Sequence, residues 1–439
     1  MVSRVQTSAE NSRNGKGEMS SVAIETLGCK LNHYESLGIE AALRRRGFVS
    51  GKLKDAEVVI VNSCAVTAEA VRQSFQVVRR ARRRNPAARV FLAGCAVMAE
   101  PDRCLELEGV EACFGNRGKA ELAEWVGKPA EASKHPVLVQ LSGELPIGTL
   151  RADIERGRQR VELKVQDGCN SFCRYCIIPY LRGRCRSLPQ EEVLGECREL
   201  AAAGFREIVL TGIHLGRYGD DLGAGESLTG LLRKLVERFP QLRFRLGSLQ
   251  PHEITPEIIE LLQTPDNPVC EHLHLSLQAG SDRVLSAMGR PYRKAAIESL
   301  FRRLAQGGES IRMGADFIVG FPAEDEAAFH ETLELVADSG LSYLHVFPYS
   351  PRVGTVAASW PDRVPGTLKK ARAGRLTELG EKKRKLFCDG QVGKRLSVLL
   401  EKRLENEMED GAWIGHSRNY LPVLVPDDGK IGAGEVVTV

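Results

Sequence analysis

The sequence predicts an α/β protein made of three modules that follow one another along the chain. Its 439 residues correspond to about three domains at roughly 150 residues each. Short β-like runs alternate with amphipathic helical stretches over most of the chain, which is typical of parallel sheets covered by helices. From about residue 390 onward only short β-like runs remain. We therefore expect an N-terminal open parallel α/β sheet, a central open (β/α)6 partial TIM barrel and a small C-terminal β-barrel.

The module boundaries are expected where the composition changes. The first 20 residues are polar and lack the apolar centre of a secretory signal, which predicts a disordered tail and a cytoplasmic location. Aliphatic runs are far shorter than the roughly 18 residues of a membrane span, which excludes a membrane-spanning protein. The expected segments are 1–20 for the tail, 21–127 for the first domain, 128–157 for a linker with three prolines, 158–388 for the barrel and 389–439 for the third module.

In the first module, a cysteine follows each of three β-like runs. The runs are VAIETL, VVIVN and VFLAG, and the cysteines after them are Cys29, Cys64 and Cys95. Parallel strands end at one edge of a sheet and lie about 4.8 Å apart. The three thiols are therefore expected to converge on one small inorganic cluster, with three unrelated buried cysteines as the alternative.

The second module shows six β/α repeats. Their β-like runs are VELKVQ, EIVLTG, LRFRLGS, EHLHLSLQ, MGADFIVG and YLHVFPYS. Six repeats do not close an eight-stranded barrel, so we expect an open barrel with its active site at the carboxyl ends of the strands. In EHLHLSLQ, leucines alternate with polar residues, which predicts a polar face toward a ligand-holding lumen. The alternative is that the two histidines are core residues with satisfied hydrogen bonds.

A second cysteine cluster follows the first barrel strand, at Cys169, Cys173 and Cys176. A structural zinc site needs four ligands, and no fourth cysteine stands at matching spacing except Cys185. A 4Fe–4S cluster also binds thiolates, and three cysteines leave one of its irons open. The spacing favours the iron–sulfur cluster, while zinc and purely structural cysteines stay as alternatives.

Basic residues are concentrated in a few places, although the net charge of +4 predicts no particular partner. Residues 72–89 contain seven arginines and no acid, and residues 362–387 contain nine basic and three acidic residues. Both stretches are predicted to form helices. Four more arginines lie near the second cysteine cluster: Arg174, Arg182, Arg184 and Arg186. One basic run is most often a solvated helix face, whereas together they favour a polyanionic partner.

The cysteine motif resembles a known enzyme family. CxxxCxxC with Tyr175 before its last cysteine is similar to the signature of the radical S-adenosylmethionine enzymes. The blocks QDGCNSFCRYCIIPYLRGRCRS, VLTGIHLGRYGDD, HLHLSLQAGSDRVLSAMGRPY, DFIVGFPAEDE and FPYSPRVGT resemble the methylthiotransferases within that superfamily. VNSCAVTAEA and AGCAVMAE in the first module do so too. The opening TLGCKLNHYES is similar to the MtaB-like branch, which acts on threonylcarbamoyladenosine in tRNA.

The resemblance implies two three-cysteine sites with different tasks. Cys169, Cys173 and Cys176 would be catalytic and hold a 4Fe–4S cluster that binds S-adenosylmethionine. Cys29, Cys64 and Cys95 would hold an auxiliary 4Fe–4S cluster carrying the sulfur to be transferred. Further contacts to S-adenosylmethionine are implied for Tyr175, Thr211, Gly212, Ser276, Gln278, Ile318 and Gly320. Cys185 stands where relatives usually have serine, and we expect a neutral substitution there. The other cysteines are expected to be small buried hydrophobes: Cys104, Cys113, Cys197, Cys270 and Cys388.

The implied reaction consumes two molecules of S-adenosylmethionine. One gives the methyl group, and the other gives a 5′-deoxyadenosyl radical that removes hydrogen from carbon 2 of the substrate adenine. The implied substrate is threonylcarbamoyladenosine at position 37 of tRNA, 3′ of the anticodon. A monomer is expected, reduced by a donor of the flavodoxin or ferredoxin type. Methylthiotransferases of isopentenyl-adenosine in tRNA or of a ribosomal-protein aspartate are alternatives, as is a zinc-stabilised RNA-binding protein.

The third module resembles a TRAM domain, a small β-barrel that binds RNA in this family. Residues 389–439 contain six basic and nine acidic residues, so this module is not itself basic. Phosphate contacts are therefore expected from the helix over 369–385 and from the arginine-rich helix of the first module. The family pattern continues through a further strand, so we expect an incomplete barrel. The candidate stacking groups for RNA bases are Trp413, for which core packing is the alternative, His416 and Tyr420.

Overall fold

The computed structural model describes residues 20–129, 136–139, 147, 159–306, 311–361, 363–405 and 411–439. The predicted N-terminal tail, up to residue 19, and most of the predicted linker lie outside these ranges. No helix in the described part of the chain is long and apolar enough to cross a bilayer. The α/β fold class and the parallel sheets predicted from the sequence are confirmed.

The first module is a six-stranded sheet in which all neighbouring strands are parallel. Its elements are β1 (Ser21–Thr26), α1 (Lys30–Arg44), β2 (Val49–Ser50), β3 (Val58–Ser63), α2 (Ala68–Arg84), β4 (Arg89–Gly94), α3 (Cys95–Ala99), α4 (Pro101–Leu105), β5 (Val110–Phe114), α5 (Leu122–Val126) and β6 (Val137–Val139). The strand order is β2-β1-β3-β4-β5-β6. The three strands expected from the sequence, β1, β3 and β4, are direct neighbours. β6 lies inside the segment expected as a linker, where it pairs with β5.

The arginine-rich helix α2 is amphipathic. The Thr67 hydroxyl accepts a hydrogen bond from the Ala70 N–H at 3.0 Å and caps the first turn. Its buried residues recur at helical spacing: Val71, Ser74, Phe75, Val78 and Ala81. These apolar side chains pack against the sheet, so the arginines lie on the face turned to solvent.

The second module is a barrel of six parallel strand units separated by helices. Its elements are β7 (Arg160–Lys164), β8 (Gln166–Asp167), α6 (Ile178–Arg182), β9 (Arg186–Ser187), α7 (Gln190–Ala202), β10 (Glu207–Thr211), α8 (Leu228–Arg238), β11 (Arg243–Leu246), β12 (Ser248–Leu249), α9 (Pro256–Gln263), β13 (His272–Gln278), α10 (Asp282–Met288), α11 (Lys294–Ala305), β14 (Arg312–Val319), α12 (Glu326–Asp338), β15 (Leu341–Pro348) and α13 (Gly366–Asp389). Within the described residues, short 3-10 helices lie in the barrel at Leu215–Arg217, Pro251–Glu253 and Val356–Ser359, and in the first module at Gly118–Glu121.

The third strand of the barrel is broken at Gly247. The break divides the barrel into a three-stranded sheet, β11-β10-β7, and a four-stranded sheet, β12-β13-β14-β15. A Cβ atom on Gly247 would lie 3.0 Å from the Leu210 carbonyl oxygen, so the residue has little room for a side chain. The edge strands β7 and β15 are not paired with each other within the described residues. The barrel is therefore open, as the six repeats predicted.

Strand β13 sorts its side chains as the alternation predicted. Leu273, Leu275 and Leu277 are fully buried in the core beneath the helices. On the other face, His274 and Ser276 are partly exposed, whereas His272 is buried and its Nε2 lies 2.7 Å from the Tyr343 hydroxyl. The lumen is therefore polar along β13. His272 is a core histidine, but only its Nε2 has a hydrogen-bond partner within the described residues.

The third module is a four-stranded antiparallel sheet. Its strands are β16 (Ser397–Leu404), β17 (Ala412–Ser417), β18 (Pro422–Pro426) and β19 (Val436–Thr438), in the order β18-β17-β16-β19. Trp413 packs against the apolar cluster of this sheet, which supports its packing role. The Tyr420 ring lies 4.5 Å from the Arg245 guanidinium and 5.0 Å from the His416 ring. These contacts occupy Tyr420, which the sequence proposed for stacking on RNA bases.

This sheet covers the N-terminal ends of the barrel strands. Arg245 donates to the carbonyls of Ser417 and Arg418 while it pairs with Glu207 at 2.7 Å. Arg312, the first residue of β14, donates to the Tyr420 carbonyl. Because these contacts come from residues near the starts of several strands, the third module covers that end of the lumen.

Candidate active site

Three cysteines of the first module lie at one edge of its sheet. Cys29 precedes α1, Cys64 follows β3, and Cys95 is the first residue of α3 after β4. Gly28 has a φ of +100°, and a Cβ atom there would lie 2.7 Å from the Cys64 sulfur. Glycine therefore lets the Cys29 loop approach Cys64. The structure brings this group of thiols together, and we name it the N-terminal triad.

Cationic and polar groups surround the N-terminal triad. Burial raises the pKa of the Cys64 thiol to about 11. The Arg182 guanidinium, which comes from the barrel, lies within electrostatic range of Cys29 and Cys95, and the Asn116 amide donates to the Cys95 sulfur at 3.5 Å. Thiolates bound to a metal cluster carry negative charge, so these groups offset the cost of burying it.

The second cysteine group lies in the loop between β8 and α6, at the carboxyl ends of the barrel strands. We name Cys169, Cys173 and Cys176 the barrel triad. His214 Nδ1 lies 3.4 Å from the Cys169 sulfur, and His214 Nε2 contacts the Glu253 carboxylate. Burial opposes ionisation of Cys169, but the His214 hydrogen bond outweighs it and lowers the pKa of the thiol.

The protonation of His214 follows from the same contacts. Burial disfavours the charged ring, yet its hydrogen bonds to Cys169 and Glu253 raise the pKa of His214 to about 9. The imidazolium form is thus favoured at neutral pH. His214 places a positive charge, held by Glu253, beside the first thiol of the barrel triad.

Arg290 supports the second thiol of the barrel triad. Its Nη1 lies 3.4 Å from the Cys173 sulfur, its Nη2 donates to the Ser276 carbonyl at 2.7 Å, and its Nε donates to the Tyr292 hydroxyl at 2.8 Å. Burial raises the pKa of the Cys176 thiol to about 12. Each triad therefore has at least one buried arginine close to its sulfurs.

Both triads lie at the interface between the first module and the barrel. Ile177 follows Cys176 directly, and Ile177 and Leu181 pack into the same apolar cluster as Cys95. The Asn116 amide that contacts Cys95 also donates to the Leu181 carbonyl at 3.0 Å. The segment after the barrel triad is thus fixed against the N-terminal triad.

A buried ionic network holds this interface. Glu35 of α1 accepts hydrogen bonds from Lys119 at 2.6 Å and Arg182 at 2.8 Å, and its carboxylate lies 3.4 Å from Lys164 Nζ. Arg182 also pairs with Asp167 at 3.1 Å. All of these side chains are at most about one tenth exposed. The network joins α1 to the strand and helix that flank the barrel triad.

The other residues predicted to contact S-adenosylmethionine lie on the rim that carries the barrel triad. They are Thr211 and Gly212 after β10, Ser276 and Gln278 at the end of β13, and Ile318 and Gly320 at the end of β14. Gln278 has a φ of +69° and Gly320 a φ of +73°. Tyr175 lies with its ring 6.4 Å from Phe321, the residue after Gly320. The parallel topology therefore gathers every predicted contact at one end of the barrel.

The spacing of the cysteine sulfurs bears on the choice between zinc and an iron–sulfur cluster. Among the described residues, one group of histidine, cysteine or acidic donors has all its atoms within 4.8 Å of one another, and it is His274, Asp316 and His345 in the barrel lumen. Neither cysteine triad is that compact. A tetrahedral zinc ion with bonds of about 2.3 Å holds thiolates roughly 3.8 Å apart, whereas a four-iron cluster lies between its thiolates. The donor set of three thiols fits a cluster with one open iron.

The remaining cysteines have no such grouping. All twelve cysteines are free thiols. Cys104, Cys113, Cys197 and Cys270 are fully buried, whereas Cys388 is only partly buried, contrary to the sequence prediction. Cys185 is buried with its sulfur 3.8 Å from the Gly168 carbonyl oxygen, at the base of the barrel-triad loop.

Several residues around the two triads escaped the sequence analysis. They are His214, Glu253, Arg290, Asn116 and Glu35. His214 and Arg290 lie in blocks that were noticed only for their resemblance, VLTGIHLGRYGDD and HLHLSLQAGSDRVLSAMGRPY. His214 contacts Cys169, which is 45 residues away, and Arg290 contacts Cys173, which is 117 residues away. Glu253 contacts His214, which is 39 residues away. No local periodicity reports contacts over such separations.

Comparisons with known proteins agree with this geometry. Residues 21–115 match the family described as uncharacterized protein family UPF0004, and residues 163–336 match the radical SAM superfamily. The chain is 34% identical to threonylcarbamoyladenosine tRNA methylthiotransferase MtaB of Bacillus subtilis, over 92% of this chain and 90% of that protein. It is 36% identical to the protein of the same name from Aquifex aeolicus, over 88% and 94% of the two chains.

A relative with another substrate is also similar. The chain is 31% identical to tRNA-2-methylthio-N(6)-dimethylallyladenosine synthase of Pelotomaculum thermopropionicum, over 96% of this chain and 95% of that protein. Among solved structures, the radical S-adenosylmethionine methyltransferase TsrM of Kitasatospora setae shares the fold, with a TM-score of 0.55, 17% identity and 77% coverage of both chains. Because relatives above 30% identity span nearly the whole chain, this protein belongs to the radical SAM methylthiotransferase family.

Proposed function

We propose that this enzyme converts threonylcarbamoyladenosine at position 37 of tRNA to its 2-methylthio derivative. The observation that carries the proposal is that both triads lie at one interface, where Ile177, next to Cys176, belongs to the same apolar cluster as Cys95. A site that generates a radical and a site that holds sulfur have to face the same substrate carbon. Two relatives named for this nucleoside support the choice of substrate.

The six cysteines fit two 4Fe–4S clusters, one on each triad. The predicted contact residues on the barrel rim fit S-adenosylmethionine. When bound, these groups would supply the 5′-deoxyadenosyl radical, a methyl group from a second S-adenosylmethionine and the sulfur to be transferred. The chain contributes ligands and charge: Arg290 and His214 beside the barrel triad, and Arg182 beside the N-terminal triad. A low-potential donor of the flavodoxin or ferredoxin type is the proposed reductant.

Anaerobic reconstitution followed by nucleoside mass spectrometry tests this proposal. The holoenzyme should contain about eight irons per chain and should convert an anticodon stem-loop carrying threonylcarbamoyladenosine. A stem-loop with dimethylallyladenosine serves as the competing substrate. Methylthiolation of the competing substrate alone, or an iron content of about four, would contradict the proposal.

The Arg290→Met variant should slow cleavage of S-adenosylmethionine by about 10–100-fold, because groups that orient metal ligands have effects of this size. Arg290 bridges the Cys173 sulfur to the β13 backbone, and Met preserves much of its apolar bulk. The readout is 5′-deoxyadenosine formed per iron. Arg302→Met, at an exposed position on α11, is the matched control and should retain the wild-type rate. An unchanged rate in the Arg290 variant would contradict the positioning role assigned to Arg290.

The arginine face of α2 is the proposed surface for tRNA phosphates. Arg79 and Arg83 are exposed, and within the described residues neither has an ion pair. With Leu27 they line a groove of about 600 Å³. Leu27 stands two residues before Cys29 in the sequence. By contrast, several basic residues of α13 are used inside the molecule, as in the pair of Arg372 with Glu324 at 2.8 Å. The arginine helix is therefore the stronger candidate of the two basic runs.

Reversing both charges in Arg79→Glu/Arg83→Glu should weaken tRNA binding by roughly tenfold or more. The slope of log affinity against log salt concentration should fall by an amount that corresponds to about two phosphate contacts. The affinity for tRNA is measured by filter binding at several salt concentrations. Arg198→Glu/Arg233→Glu on the barrel exterior is the control, and its salt slope should match the wild type. If the two slopes fall equally, the α2 face has no special part in binding.

A further inference from the structure

Lys30 points from the first module toward the barrel. It is the first residue of α1 and follows Cys29. Lys30, His33 and Tyr34 share one helix face because they are three and four residues apart. Tyr34 is buried in the core cluster of the barrel, and His33 Nδ1 lies 3.3 Å from Glu162 of β7. The face that carries Lys30 therefore packs along β7, which is an edge of the open barrel.

The Lys30 side chain lies between the first module and the barrel strands. It is exposed to solvent and within electrostatic range of Glu162 and Arg160 on β7, Arg245 on β11 and His274 on β13. These residues come from three different strands of the barrel. Lys30 therefore faces the barrel while its ammonium stays open to an incoming molecule.

The Lys30 ammonium has no hydrogen bond and no ion pair within the described part of the chain. Nearby acids have other partners, since Glu162 pairs with His33 and Glu207 with Arg245. Lys119 and Lys164, which lie at the same module interface, both pair with Glu35. An unpaired ammonium that is open to solvent is available to bind an anionic group.

We propose that Lys30 binds the carboxylate of the threonylcarbamoyl group on the substrate adenosine and so selects an acid-bearing nucleoside. This inference rests on the proposed function. The threonyl group carries one carboxylate, which matches one ammonium, whereas a dimethylallyl group has no charge. Because Lys30 adjoins Cys29, an adenine placed at the N-terminal triad has its substituent within reach of the lysine side chain.

The test compares the free acid with a neutral form of the same nucleoside. Reconstituted wild type, Lys30→Met and Lys30→Arg are titrated with anticodon stem-loops that carry threonylcarbamoyladenosine, its methyl ester or unmodified adenosine. The wild type should bind the acid about 10–100-fold more tightly than the ester, as expected for a charged hydrogen bond. Lys30→Met should bind the acid no better than the ester, and Lys30→Arg should recover part of the preference.

Lys52→Met, at an exposed lysine of the first module, is the matched control and should keep the preference for the acid. Iron content near the wild-type value shows that each variant is folded. The inference is overturned if Lys30→Met keeps the acid-to-ester ratio, or if it loses affinity equally for all three RNAs, which would indicate a phosphate contact. If the wild type methylthiolates no RNA, the proposed function fails, while the binding ratio still decides the role of Lys30.

Discussion

The Cys173→Ala variant is expected to form no 5′-deoxyadenosine from S-adenosylmethionine and to contain about four irons per chain instead of about eight. Cys173 is one of only three thiols in the barrel triad. Its sulfur is nine tenths buried and receives the Arg290 contact. With two thiols left, the site lacks the ligands to retain a four-iron cluster.

The Cys64→Ala variant distinguishes the roles of the two triads. It should also lose about four irons, but it should retain 5′-deoxyadenosine formation and yield no methylthiolated nucleoside. Cys197→Ala is the control, because Cys197 is a fully buried thiol of α7 outside both triads. The assignment of two separate sites is wrong if Cys64→Ala still transfers sulfur.

The Glu35→Gln variant is expected to destabilise the interface between the first module and the barrel by about 3–5 kcal/mol, the usual cost of removing one partner from a buried ionic network. It leaves Lys119, Lys164 and Arg182 without their shared counter-charge. Hydrogen exchange of the α1 and α6 amides measures the free energy of opening. Glu69→Gln, at an exposed pair with Arg72, should change it by less than about 1 kcal/mol.

Acid should weaken the same interface in the wild type. Burial favours the neutral Glu35 carboxyl, but Arg182, Lys119 and Lys164 outweigh it and hold its pKa well below 4.5. A carboxyl with a depressed native pKa stabilises the fold fully above its unfolded value and loses this effect as the pH falls through the native pKa. Protection of α1 should therefore decline only below about pH 4.5, and less so in Glu35→Gln. Equal decline in both proteins would contradict the role of Glu35.

Chain order was enough to predict where the six cysteines lie. Cys29, Cys64 and Cys95 each follow a strand of one parallel sheet, and parallel topology places such residues at one edge. The prediction for these three cysteines depends on strand direction alone, which the alternation of β-like and helical runs makes visible. Thr211 and Ser276 were instead named by the resemblance, and the parallel topology places both near the strand ends that carry the barrel triad.

The groups that serve the cysteines could not be predicted in this way. Arg290 meets Cys173 across 117 residues, and Glu35 meets Arg182 across 147. Such pairs depend on how helices pack and how loops turn, which no short pattern encodes. The short strand β6 was missed because three residues between prolines and polar residues give no periodic signal. The stacking proposed for Tyr420 overlooked Arg245, whose guanidinium already covers its ring.

The cover that the third module forms over the barrel floor has a consequence for the order of binding. Arg245 and Arg312 tie that sheet to the barrel strands, so a molecule that enters along the barrel axis has to come from the opposite end, where the barrel triad lies. Under the proposed function, S-adenosylmethionine and the substrate base would share this end, so S-adenosylmethionine would bind before the RNA.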